Sequence, residues 1–256
     1  MIAVEHIIGL ALLLSSAGLM VWFSIPARHR PTRSLRSLTA LRETLRAIGL
    51  SVEDGKRIHV SIGKASIISP NNASGLVGLN TAERIAQFSM VSDRPPVISS
   101  GDGSLAVLSQ DTLRSAYRAA NVLDLYNPNQ GRLTGPTPFS YVAGTMPLMR
   151  AEGVSTNLLI GSFGPEAGLL LDSASQGKTF TLAGSEALDA QAVIYALADE
   201  CLIGEEFFAA PAYLQGTPMQ VSSLHVQDVL RWVLAGVLLV GAILKLISEL
   251  FGMALL

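Results

Sequence analysis

The chain has one cysteine, Cys201, in 256 residues. A lone thiol excludes an internal disulfide framework and suits a reducing compartment. Histidine is nearly as scarce. His6, His29, His59 and His225 stand far apart, with none of the close spacings of a metal-ligand set. No metal site and no cofactor are expected from such a set. Aromatic residues make up 6% of the chain and charged residues 15%, with a net charge of −2. There is no basic stripe interleaved with aromatics, so nucleic acid is not an expected partner. Low-complexity tracts and repeats of solenoid period are also missing.

Apolar residues are what the chain has in excess. They make up 49% of it, and the mean hydropathy is +0.42, above an ordinary soluble domain. Two stretches carry the excess. Ile7 to Ala27 is 21 residues without a charge, about 31 Å as a helix and enough to cross a bilayer core. Glu5 and His6 precede it in place of a basic leader, and no small-x-small cleavage site follows, so it reads as a retained anchor. Arg28, Arg30, Arg33 and Arg36 come next, and such a flank stays in the cytoplasm. At the other end, WVLAGVLLVGAIL runs from Trp232 to Leu244 between Arg231 and Lys245. The expected division is an N-terminal anchor over 1–30, a cytosolic domain over 31–224 and a C-terminal anchor over 225–256, with both termini outside. Two spans take about fifty residues, and roughly 190 remain for one domain with a core.

Thirteen uncharged residues reach only about 20 Å, so the last helix is expected to continue through Lys245 towards Phe251. Lys245 and Glu249 then lie at the lipid boundary, four apart on one helical face, where they can pair. The alternative is that Lys245 snorkels to the headgroups. Ala235, Gly236, Gly241 and Ala242 are small enough to admit a neighbouring helix. The bilayer, further copies of the chain or another membrane-complex subunit are therefore the expected partners.

Between the anchors, SLRSLTALRETLRAIGL places Leu35, Leu38, Leu41, Leu45 and Ile48 at helical spacing. The run from Arg57 to Ile62 alternates polar and apolar residues and predicts a strand, with Ile67-Ile68 as a possible second. A helix from Asn80 or Thr81 to about Val91 follows a turn-rich run. Then strands and helices alternate: strand Pro96–Ser99, a helix with its stripe from Leu105 to Ala120, a loop from Asn127 to Pro138, and a helix from Phe139 to Arg150. Strand Thr156–Ile160, a helix opening near Pro165, strand Lys178–Leu182, and a helix from Glu186 to about Ile203 complete the order. Phe207 to Ser223 reads as a return path. This order predicts an α/β fold, a mainly parallel sheet flanked by helices in Rossmann-like alternation, with one transmembrane helix at each end.

Three motifs bear on chemistry, and none is complete. Gly101-x-Gly103-x-x-Ala106 is a loose form of the dinucleotide fingerprint, with Asp124 about twenty residues on. Gly177-Lys178-Thr179 ends like a phosphate loop but has Asp172 where a glycine is required. Ile160-Gly161-Ser162-Phe163-Gly164 resembles a nucleophile elbow whose first glycine is replaced, and the only downstream histidine is His225. The plainer readings are preferred: βα connectors at the glycine turns, a turn that exposes Lys178, and Ser162 as a helix cap. If a ligand binds, it is expected where the turns Ser100, Gly101, Asp102 and Gly103, Gly161, Ser162 and Gly164, and Gly184 and Ser185 gather at one edge of a parallel sheet.

The run GLVGLNTAERIAQFSMVSDRPPVISSGDGSLAVLSQDTLRSAYRAAN, residues 75–121, together with the two anchors, resembles an uncharacterised bacterial family of membrane proteins known only as a domain of unknown function. The resemblance implies a bacterial membrane protein and transfers no catalytic residue. The expected role is a non-enzymatic structural or scaffold subunit of a membrane assembly. The alternative is a membrane-anchored domain that binds or senses a nucleotide or another small anion.

Overall fold

The computed structural model describes residues 2–27, 38–68, 72–90, 92–215 and 218–251. The chain forms two compact units: residues 36–215, and residues 1–35 with 216–256.

In the first unit, helix α2 (Thr39–Glu53) precedes strand β1 (Arg57–Gly63), helix α3 (Asn72–Ser89), strand β2 (Val97–Ser100) and helix α4 (Gly103–Ala119). Strand β3 (Gly131–Leu133), helix α5 (Pro138–Ala151), strand β4 (Val154–Ser162) and helix α6 (Ala167–Gln176) come next. Strand β5 (Phe180–Gly184), helix α7 (Leu188–Leu197), strand β6 (Glu200–Leu202) and helix α8 (Glu205–Gln215) complete the unit. All five strand pairings are parallel, in the order β3-β2-β1-β4-β5-β6. This is the Rossmann order, in which the winding reverses between the first and fourth strands.

Helices cover both faces. Ile58, Val60, Ile62, Ile98, Leu158 and Leu182 belong to one core, with Leu41 and Ile48 of α2, Ile85 of α3, Leu113 of α4 and Phe207 of α8. Leu159 and Ala183 belong to the other, with Tyr141 of α5, Leu170 and Leu171 of α6 and Ile194 of α7. The expected leucine stripe of α2 is real only in part: Leu41 and Ile48 are buried, Leu45 is exposed, and Leu35 lies outside the described residues.

Several boundaries move. Ile67-Ile68 is a turn, not a strand, and Ile68 is 93% exposed. The helix expected from Asn80 begins at Asn72, so Thr81 is no cap. It sits mid-helix and its hydroxyl donates to the Val77 carbonyl at 2.9 Å. Gly75 and Gly78, which made the run look like a turn, serve packing instead. A Cβ on Gly78 would stand 2.4 Å from the Ile160 carbonyl oxygen, so only glycine lets α3 lie this close to β4. The expected loop Asn127–Pro138 contains β3, and the helix expected from Glu186 to Ile203 stops at Leu197 to make room for β6. Both strands have three residues, too few for a period-2 pattern to show. The expected return path is largely α8.

In the second unit, α1 (Ile2–Ala27) packs along α9 (Pro218–Phe251). Phe23 near the end of α1 stacks on His225 near the start of α9, 6.2 Å between ring centroids, so the two helices run antiparallel. Gln220–Leu246 of α9 is long and apolar enough to cross a membrane, and none of its apolar window is buried. The described apolar part of α1, Gly9–Phe23, is shorter than a span. The arginine cluster at 28–36 and the side chain of Glu249 lie outside the described residues, so the expected Lys245–Glu249 pair does too; Lys245 itself is exposed.

Candidate functional site

Because every pairing is parallel, all the turns that follow strands lie at the carboxyl edge of the sheet. The three turns singled out in the sequence are therefore brought to one edge, but their chemistry is not that of an open anion site. Asp102 caps α4: its carboxylate accepts from the Ser104 amide at 2.9 Å, the Leu105 amide at 3.3 Å and the Ser104 hydroxyl. The Ser104 hydroxyl bond is the main reason the Asp102 carboxyl is held below its usual range, with the two amides adding to it against a desolvation that raises it. The helix N–H groups that a pyrophosphate would need are already held by this anion. Gly103 opens onto free space, whereas a Cβ on Gly101 would stand 2.8 Å from Lys64 Cγ. The pattern also follows β2, not β1, the strand that carries the fingerprint in dinucleotide-binding folds. Asp124 lies exposed in a 3-10 turn beyond the far end of α4, at the other end of that helix from the glycines.

The turn after β4 is closed in the same way. Gly161 and Ser162 belong to β4 itself, and the Gly164 amide donates to Glu166 Oε1 at 3.1 Å. Gly161 is required by the sheet: a Cβ there would stand 1.8 Å from the Ile62 carbonyl oxygen, where the β1–β4 register shifts. Gly184 ends β5 against Phe207 and Leu202. Ser185 is buried, its hydroxyl donating to the Phe163 carbonyl at 3.0 Å and accepting from the Phe163 amide at 3.1 Å. His225 lies in the other unit, its Nδ1 2.8 Å from the Val221 carbonyl of its own helix. Lys178 sits exposed at φ 52° after α6, away from any helix N-terminus. Asp199 clamps β5, accepting from the Thr181 amide and hydroxyl, both at 2.8 Å.

The polar chemistry of the domain is elsewhere, beneath α5. The alternating residues Arg57, His59 and Ser61 of β1 face a second polar layer, with His59 and Ser61 fully buried. His59 Nδ1 lies 2.7 Å from Asn157 Oδ1 and Nε2 lies 2.9 Å from the Ser99 hydroxyl. Ser99 is 2.8 Å from the Tyr141 hydroxyl, which also bonds Ser61. With a carbonyl oxygen at Nδ1, that nitrogen carries the proton and Nε2 accepts from Ser99. All five side chains are buried. Burial lowers the His59 pKa to about 4, with the nearby Arg132 charge adding to it against the Asn157 bond, so the ring is neutral. Burial likewise raises Tyr141, partly offset by its bonds to Ser61 and Ser99. The order amide–imidazole–hydroxyl has the connectivity of a nucleophile relay. With Ser99 fully buried it meets no substrate in this conformation. One loose end remains: Asn157 Nδ2 is buried with no hydrogen-bond partner among the described residues. The sequence signal for this layer was the unusual run of polar residues, one per strand, at His59, Ser99 and Asn157.

Glu152, the C-cap of α5, ties the same face together at its lower end. It pairs with Arg57 of β1 and with Arg132 of β3, the latter at 2.6 Å. Among the described residues no group of three or more histidine, cysteine or acidic side chains could hold a metal ion.

With this geometry in place, comparison with known proteins gives one answer. The family model of DUF6754, a domain of unknown function, matches residues 1–256, the full length of the chain. The chain belongs to this family. No curated protein and no solved structure matches it. The DUF6754 match takes in the α/β unit and both terminal helices together, so the family is defined over these helices as well as the domain.

Proposed function

We propose that this DUF6754 protein is a non-enzymatic, membrane-anchored subunit of a larger assembly, with its α/β domain in the cytoplasm and α1 and α9 as two antiparallel spans. The observation that carries the reading is the uncovered surface of α9. From Trp232 to Leu246 its large apolar side chains are exposed, and the 27-residue candidate span is about 40 Å long at helical rise. So much apolar helix surface is stable only against lipid or other protein. The carboxyl edge supports the non-enzymatic part: Asp102, Glu166 and Ser185 occupy the turns at which such folds hold ligands, and the His59–Ser99 pair is sealed. Thiol labelling in intact cells tests the topology in a Cys201→Ser background. Asn129→Cys is expected to be shielded from an impermeant reagent and Ala3→Cys to react. Ready labelling at position 129 overturns the cytoplasmic domain, and shielding at position 3 overturns the external N-terminus.

A second reading, a small anionic ligand at the carboxyl edge, is favoured by one observation. The winding reverses between β1 and β4, and half-buried Lys64 stands there, its amide donating to the Ser162 carbonyl at 2.9 Å. Titration with ADP, compared between the native chain and Lys64→Met, tests it; equal responses exclude this lysine from any such site.

A further inference from the structure

A second polar centre lies away from the carboxyl edge, where α5 ends and β4 begins. Glu152 is its acid, and both carboxylate oxygens are engaged: Oε2 by Arg57 and Oε1 by Arg132. Arg132 leaves β3 and folds back, its Nε donating to the Asn129 carbonyl at 2.6 Å. A third guanidinium belongs to Arg94, just before β2. A Cβ built on Gly153, the residue after Glu152, would stand 3.4 Å from Arg94 Nη1. Arg94 is exposed, and its side chain makes no hydrogen bond or ion pair among the described residues. The acids closest in sequence do not balance the cluster: Asp93 is exposed and unpaired among the described residues, and Asp54 pairs with Lys56. Two guanidiniums thus share one carboxylate, and a third lies against the backbone of the next residue, Gly153. Arg57 Nε is in addition buried without a partner among the described residues, and the Arg57 and Glu152 side chains are largely buried.

A surplus of cationic charge in a partly dehydrated site is costly unless an anion joins it. The planar fork of a guanidinium fits two phosphate oxygens at once. We infer that Arg94, Arg132 and Arg57 form a binding site for a phosphate group, carried either by a soluble phosphomonoester or by a lipid headgroup. Arg94 and the outer N–H groups of Arg132 are the donors. Glu152 holds Arg57 and Arg132 in position and sets their spacing. The carbonyl end of α5 opposes an anion here, so binding depends on the three cations together. The site is separate from the carboxyl edge and does not need it to be occupied.

Phosphorus NMR titration of the full chain in mild detergent with inorganic phosphate, at constant ionic strength, tests the inference. Saturable binding is expected. Arg94→Gln removes an unpaired, exposed side chain, so the fold is kept and affinity falls about tenfold, the effect of one charged hydrogen-bonding group. Arg94→Gln with Arg132→Gln abolishes binding, with thermal unfolding recorded alongside to show that the domain still folds. The source of the phosphate is read in nanodiscs. Competition by phosphatidate discs but not by phosphatidylcholine discs assigns the headgroup; undiminished binding in both assigns a soluble phosphomonoester. No saturable binding in detergent, or equal binding by Arg94→Gln, overturns the site.

Discussion

At the scale of single residues, His59 makes the sharpest demand on the protein. Its folded pKa is about 4 against 6.5 for the free side chain. Between those values the unfolded chain binds a proton that the folded chain does not, so folding stability falls as pH falls through that window and is fully present above it. The loss is on the order of 3 kcal/mol between pH 6.5 and 4. Thermal unfolding of the full chain in detergent is expected to show it as a declining midpoint over that range. His59→Gln is expected to unfold earlier at pH 7 but with a flatter slope, because the amide does not titrate; an unchanged slope would mean that another group carries it. The glycines give a second residue-scale test. Gly161→Ala sets a Cβ against the Ile62 carbonyl oxygen between two central strands, and is expected to destabilise by more than about 3 kcal/mol, since neither backbone can move freely. Gly103→Ala meets nothing and is expected to be neutral or to stabilise α4 by up to about 1 kcal/mol. Denaturant midpoints of the two variants measure the difference.

At the scale of elements, α4 depends on a cap that the sequence showed only as a glycine pair. Asp102→Ala is expected to cost about 1 kcal/mol and Asp102→Asn much less, because the amide oxygen still accepts from Ser104 and Leu105. Equal losses in thermal unfolding would show that the charge, not the acceptor, holds the turn. The elements that were legible beforehand share a property: each is long enough to display a period. Helices α4 and α5 and strands β1 and β4 fall near their expected places. The central parallel sheet follows from the alternation they create. Strands β3 and β6 were not legible because three residues carry no pattern, and α3 was cut short because Gly75 and Gly78 read as turn residues when they are packing residues. The same limit governed the site. Gathering the glycine turns at one edge follows from parallel topology alone. That Asp102 and Glu166 close those turns is a matter of side-chain reach, and that Arg57, Arg132 and Glu152 meet depends on β3, which was not foreseen. Polar alternation in β1 marks a strand but leaves its polar face unassigned, since period 2 says which residues share a face and not what covers it.

At the scale of the whole molecule, the question is what covers α9. A span bathed only in lipid has no use for notches. Val233, Gly236, Val237, Val240, Gly241 and Leu244 nevertheless line a shallow apolar groove along the helix. These positions recur every three to four residues, the spacing of a seam between helices, and the Cβ direction of both glycines is open. In hydrocarbon, helices associate by close packing rather than by exclusion of water, so filling the notch removes the contact without changing how well the helix partitions into lipid. The assembly reading therefore predicts that Gly236→Leu with Gly241→Leu lowers the oligomer mass seen by native mass spectrometry in mild detergent, while membrane insertion and domain folding are retained. Lys245 supplies an independent arm. It is exposed on the same helix, within the expected span but beyond its uncharged stretch. If it pairs with Glu249, its own or a neighbour's, Lys245→Leu strands one charge and reduces the assembly more than Lys245→Leu with Glu249→Leu does. If Lys245 only reaches up to the headgroups, both variants keep the native mass. An unchanged mass in the glycine double variant and in both lysine variants would remove the basis for a homo-oligomer held by this helix, leaving α9 as an anchor and nothing more.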